Sequence, residues 1–411
     1  MSAPGFARLY VSFACGYLLS YLFRSVNAVI SPELTSGLGL SPSSLGLLTS
    51  VYFMAFAVMQ IPAGMLLDRY GPRRVEPILL SVAAGGALVF AASDTLAGLG
   101  AGRALIGAGV SVCLMAPLKA IATWYPIERQ ATLSSWMMVA GGFGALLATS
   151  PIEIALGFTS WRGIFSVLAA ATLAAALLIF LKVPDTPRST QAPGLRAQWA
   201  GVQSVFRHSR FWWIAPLASI AMGSFMAVQG LWSVPWLMDV EGYTRSEAAR
   251  HLLLMNCAIL SGYLVLGSMS MRMRRRGIEP QHWFVLGFGL SAVGLATILA
   301  GGPFSYVQWM LYGMGTAVNV LGFAVLNQGF PRHLVARANT TLNLFMFGSS
   351  FAMQWGIGIV VDAAQRWLDL DRSGSLRFAF SLVLVAYVLA FSWFAYGWRR
   401  HQLGSLAGTP A

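Results

Sequence analysis

The chain has 411 residues, 57% of them hydrophobic and only 10% charged, with 43 glycines and a formal net charge of +13. Soluble domains carry about 25% charged residues, so this composition excludes an ordinary soluble domain and points to an all-α integral membrane protein. The basic residues fall in short clusters between apolar runs, where they orient helices across a lipid bilayer, and nucleic acid is not an expected partner.

A spanning helix needs ~20 mostly apolar residues. In chain order that ruler predicts about twelve spans, at residues 7–30, 43–67, 75–93, 98–124, 131–157, 161–182, 210–238, 246–271, 281–300, 304–330, 335–362 and 376–398. No small-residue cleavage site ends the run after Arg8, so the first helix is expected to be retained. The polar stretch with Pro184, Pro187, Arg188, Pro193 and Arg196 has linker composition. It predicts a six-helix half over 1–183, a linker over 184–209, a second six-helix half over 210–400 and a tail over 401–411. With a cytoplasmic N-terminus, 18 of the 27 basic residues lie inside, which places both termini in the cytoplasm. The expected location is a bacterial inner membrane, and the expected state a monomer.

Within the first span, Ser20, Arg24, Asn27 and Ser31 recur at helical spacing and share one face. After the second span comes Gly64 to Arg74, GMLLDRYGPRR. Gly71 and Pro72 supply a reversal there, and Arg69, Arg73 and Arg74 hold it on the basic side. This stretch closely resembles the signature loop of the major facilitator superfamily, G-x-L-x-D-R-x-G-R-R, and residues 103–109, RALIGAG, resemble its fourth-helix motif R-x-x-x-G-x-G through Arg103, Gly107 and Gly109. The resemblance implies that family's fold, two six-helix pseudo-repeats, and a secondary transporter working by alternating access. It also implies that Asp68 latches one conformation, with Arg129 of the P-x-E-R-like segment 124–130 as its partner and Glu128 pairing with Arg69 or Arg73. A weaker second copy of the loop, without the acid, runs from Gly267 to Arg276.

Charges in the bilayer carry the functional expectation, because each costs ~2.5–3.5 kcal/mol on insertion scales. Arg24, Arg103 and Lys119 qualify. The acids of the first half are expected at span ends, with Glu33, Asp94 and Glu153 outside and Asp68, Glu76 and Glu128 inside. Unpaired cations ask for an anion, so Arg24, Asn27 and Lys119 are expected to bind a carboxylate or phosphate of a small organic solute. The bland alternatives are that Arg24 pairs with Glu33 or Glu153 and that Lys119 snorkels to the inner interface. In the second half Gln229, Trp232, Trp236, Asn256, Asn319, Asn343 and Gln354 form polar and aromatic stripes suited to the uncharged part of a substrate. Equally, such residues join membrane helices to one another.

The fifth-helix motif of drug and proton antiporters is missing from Gly141 to Pro151, GGFGALLATSP. An arginine in helix one with another in helix four is similar to organic-anion members of the superfamily, but their embedded acid has no clear counterpart, so a coupling proton or ion, and hence a symporter, stays an open partner. No hydrolase or phosphate-loop motif indicates an enzyme, and neither a cofactor nor a metal is expected; Cys15, Cys113 and Cys257 lack ligand spacing. The competing readings are a proton-coupled exporter of amphipathic compounds and a solute sensor without flux.

Overall fold

The computed structural model describes residues 6–185, 203–274, 280–328, 330 and 334–406. All twelve expected spans are helical. The first half is built from α1 (Phe6–Leu38), α2 (Pro42–Tyr70), α3 (Pro72–Ala92), α4 in two pieces (Leu96–Gly109 and Met115–Trp124), α5 (Ile127–Leu147, continued by Ser150–Leu156) and α6 (Trp161–Lys182). In the second half, α7 runs through Ser209–Ala227, a π-helical turn at Val228–Trp232, and Ser233–Asp239. It is followed by α8 (Arg245–Arg274), α9 (Pro280–Ala300), α10 (Ser305–Thr316, a 3₁₀ turn at Ala317–Val320, and Leu321–Asn327), α11 (Val335–Trp367) and α12 (Arg372–Leu406). Most of the expected linker, residues 186–202, lies outside the described residues, as does part of the second basic turn.

Among the described residues eleven helices are long and apolar enough to cross a membrane. The twelfth, α4, is interrupted between its two pieces. Short polar signals set the helix ends. Ser41 caps α2 by accepting from the Ser44 amide at 3.2 Å, and Thr95 does the same for α4 through the Gly98 amide. Between α2 and α3 the chain reverses at Gly71, whose φ of 78° is free of strain only without a Cβ, and Pro72 opens α3 where no amide is needed.

The two halves repeat one packing scheme. In the first, α3 packs on α4 and α6, α2 on α4, and α1 on α5 and α6; in the second, α9 packs on α10 and α12, α8 on α10, and α7 on α11 and α12. The helices broken in the middle, α4 and α10, occupy matching places in this scheme. Between halves the main pairs are α2 with α11, α1 with α7, and α5 with α8, the first and last exchanged by the repeat. Large side chains such as Val167, Leu264 and Leu389 are well exposed, a surface that water would penalise and hydrocarbon accepts.

Polar contacts between the halves gather at one end. Opposite the Gly64–Arg74 turn, Arg245 of α8 pairs with Glu33 of α1. The Ser43 amide donates to Asp362 at 3.0 Å, and the Ser246 hydroxyl to Glu153 at 3.4 Å. Just below them α2 and α11 approach backbone to backbone: a Cβ on Gly46 would stand 2.8 Å from the Gln354 carbonyl oxygen. At the basic end every ion pair among the described residues stays within the first half. Among the described residues the polar fastenings between the halves lie at one mouth only.

Candidate functional site

Arg24 sits on α1 below the fastened end and is 5% exposed. Its guanidinium carbon lies 4.5 Å from the ring centre of Tyr21 and 5.4 Å from those of Phe56 on α2 and Phe347 on α11. Phe56 and Phe347 are themselves 4.3 Å apart, so the aromatic box closes across the two halves. Ring faces attract a cation but offer no hydrogen-bond acceptor of carboxylate strength. The Arg24 Nε has no hydrogen-bond partner, and none of the ion pairs among the described residues includes Arg24. Glu33 is taken by Arg245 and Glu153 faces Ser246, so the structural pairings considered for Arg24 are not made.

The π turn of α7 lies beside it. An extra residue in a helical turn re-aims side chains and is common at functional sites. A Cβ on Gly230 would fall 3.5 Å from the Arg24 carbonyl oxygen and 3.8 Å from Gln354 Oε1, which brings α1, α7 and α11 together at one level. Gln354 Oε1 and both polar atoms of Asn27, one turn along α1, are buried without partners. Trp232 donates to the Gln354 carbonyl at 2.9 Å. Gln229 of the same turn bonds to Asn256 of α8, which in turn donates to Leu252 O. In the 3₁₀ turn of α10, Asn319 is buried with its amide unpaired. Asn343 is half-buried one turn before Phe347.

Several expected residues sit elsewhere. Lys119 is not an unpaired cation: its Nζ bonds Asp68 Oδ1 at 2.6 Å and Leu67 O at 2.8 Å, so the acid at the end of α2 supplies its counter-charge. Arg129 was the expected partner of Asp68; it is exposed, and the pair belongs to Lys119 instead. Arg73 and Arg74 reach Asp185 at 3.3 and 3.4 Å, while Arg69 lies over the Tyr70 ring; the Glu128 side chain lies outside the described residues. Gly64 meets no neighbouring atom within 4 Å. Trp236 turns away from the site, donating to Glu241 at 2.7 Å and lying tilted against Phe380.

Arg103 is a packing residue here, donating to the Phe23 carbonyl at 2.9 Å beneath the Tyr52 ring. Gly107 and Gly109 press α4 against the backbones of α2 and α3, at Tyr52 and Leu79. Glu76, placed at the inner face by its nearness to the basic turn, is completely buried inside the helix bundle. Four residues from a loop fixes depth but says nothing about which side of the helix is covered. Tyr21, Phe56, Phe347 and Gly230 were not singled out from sequence. Only Tyr21, three residues before Arg24 on the same face, left a local signal.

A family profile described as Major Facilitator Superfamily matches residues 13–354. The hexuronate transporter of Escherichia coli (strain K12) is 27% identical over 366 residues, covering 81% of this chain and 78% of that protein. The galacturonate transporter of Dickeya chrysanthemi is 25% identical over 256 residues, covering 57% and 72%. Among solved structures, a bacterial homologue of the human lysosomal transporter Spinster, inward-facing and unoccupied, superposes with a TM-score of 0.77 at 17% identity, covering 96% of this chain and 97% of that one.

Proposed function

The chain belongs to the Major Facilitator Superfamily, and we propose that it moves a small sugar acid, of the hexuronate type, across a bacterial inner membrane. The observation that carries this reading is Arg24: a buried guanidinium with an unpaired Nε, boxed by aromatic rings and paired with no carboxylate among the described residues. The substrate's carboxylate is the missing anion, held by two parallel hydrogen bonds. Asn27, Gln354 and the Gln229–Asn256 pair are the groups that meet its hydroxyls, and Trp232 backs them; Asn319 and Asn343 extend the same amide lining. That the named relatives carry hexuronate and galacturonate supports an acid over an amphipathic cation.

Transport proceeds by alternating access. The halves 1–183 and 210–400 rock about the site, joined by a cytoplasmic linker over 184–209, with both termini and the basic turn on the cytoplasmic side. In that orientation the fastened mouth is the outer one. Asp68 then rests on Lys119, and Arg73 with Arg74 on Asp185, all within the first half. The working unit is the monomer.

A thermal-shift comparison on purified protein tests the binding claim. Galacturonate is expected to raise the melting temperature, galactose and simple amines are not, and Arg24→Ala is expected to need about 10- to 100-fold more galacturonate for the same rise. Stabilisation by amines, or an undiminished galacturonate response in Arg24→Ala, refutes it.

A further inference from the structure

We propose that Glu76 is a proton-binding site, the acid through which solute movement is coupled to a proton; this rests on the transport reading above. Glu76 stands on α3 four residues after Pro72, roughly 6 Å along the helix at 1.5 Å per residue. It is fully buried, and its carboxyl oxygens make no hydrogen bond of good geometry, the Cys113 thiol being their one polar neighbour among the described residues. A Cβ on Gly16 of α1 would lie 2.8 Å from Glu76 Oε1, so the carboxyl is wedged against the α1 backbone at the place where a glycine makes room.

No charge faces it. From α1 it meets Gly16, and Ile179 of α6 and Leu80 of its own helix border the same spot. From α4 the titratable neighbour is the Cys113 thiol, in the break between the two helical pieces. The basic groups of this end are engaged or exposed: Lys119 of α4 holds Asp68 of α2, Arg73 and Arg74 hold Asp185, and Lys182 of α6 is exposed. An ionisable residue buried within a membrane span is by default a candidate for an ion or proton path.

The link to the solute site runs through α1 and the break in α4. Cys113 lies within electrostatic reach of both Glu76 and Arg24, and α1 carries Gly16 against the acid and Arg24 in the aromatic box. A change of angle at the α4 break alters what Glu76 faces. In one conformation the carboxylate takes a proton from water; in the other the acid returns that proton to water on the opposite side, and no other bond is made or broken. A monoanion entering a cell works against the interior-negative potential, and one proton carried with it removes that opposition.

The test uses the full chain in liposomes with labelled galacturonate. Wild type is expected to exchange galacturonate between the two sides and to accumulate it when the outside is made acidic. Glu76→Gln, isosteric and permanently neutral, is expected to retain exchange and lose accumulation. If wild type exchanges without responding to the proton gradient, or Glu76→Gln still accumulates, the proton site is wrong and the transport reading stands. If wild type neither exchanges nor accumulates galacturonate, the substrate reading falls, and infrared difference spectra between acid and alkaline pH, without solute, decide Glu76 independently. A protonated-carboxyl band present in wild type and missing from Glu76→Gln supports the assignment. Absence of the band from wild type, or its persistence in the variant, overturns it.

Discussion

A guanidinium enclosed by three aromatic rings has given up water for contacts that satisfy its charge only in part. Arg24 is therefore held in position and left with unspent hydrogen-bonding capacity at Nε. A charge-assisted hydrogen bond contributes ~1.5–3 kcal/mol, so Arg24→Ala should weaken binding of a sugar acid by about 10- to 100-fold, measured by isothermal titration. Arg24→Lys keeps the charge but loses the planar fork, and an affinity between the two is expected; equal affinity in wild type and Arg24→Lys would mean that charge alone is read. Asp68 and Lys119 make the contrasting case. Their side chains are 45% and 28% exposed, and exposed pairs contribute ~0.2–1 kcal/mol. Asp68→Asn should lower the melting temperature only slightly, and a large fall would show that the pair carries structural weight.

At the level of the element, how much was legible depended on how local each cause is. Span positions follow from apolar runs, so every helix falls where hydropathy places it. The break of α4 does have a local cause, since Pro117 has no amide to bond the carbonyl four residues back and can kink a span. The π turn of α7 left no such trace, because VQGLW after Ala227 is as apolar as its surroundings. The depth of Arg24 could be read; its lid could not, since Phe56 and Phe347 arrive from helices far along the chain. Glu76 was misplaced for the same reason, its cover being Gly16 of α1 and the broken part of α4. Gly107 offers a check on how tightly α4 is set. A leucine there would run into the Tyr52 backbone, and overpacking of this kind costs about 1–3 kcal/mol. Gly107→Leu should melt measurably below wild type, whereas Gly64→Ala, with open space around it, should not.

Taken whole, the molecule is two similar bundles fastened at one mouth by Glu33–Arg245, Ser43–Asp362 and Glu153–Ser246. If these contacts open and close during transport, fixing them must stop it. In a background lacking Cys15, Cys113 and Cys257, the pair Ser43→Cys and Asp362→Cys should form a disulfide under mild oxidation and halt uptake, and reduction should restore it; undiminished uptake in the cross-linked protein would exclude movement at this mouth. The central claim is that an acid group on the solute answers Arg24. Uptake of labelled galacturonate into liposomes tests it most directly, with wild type and Arg24→Ala incorporated equally and either unlabelled galacturonate or galactose as competitor. Uptake by wild type that galacturonate suppresses and galactose does not, together with uptake lowered about tenfold or more in Arg24→Ala at low galacturonate, is the predicted result. Uptake undiminished in Arg24→Ala, or that galactose suppresses equally well, contradicts it.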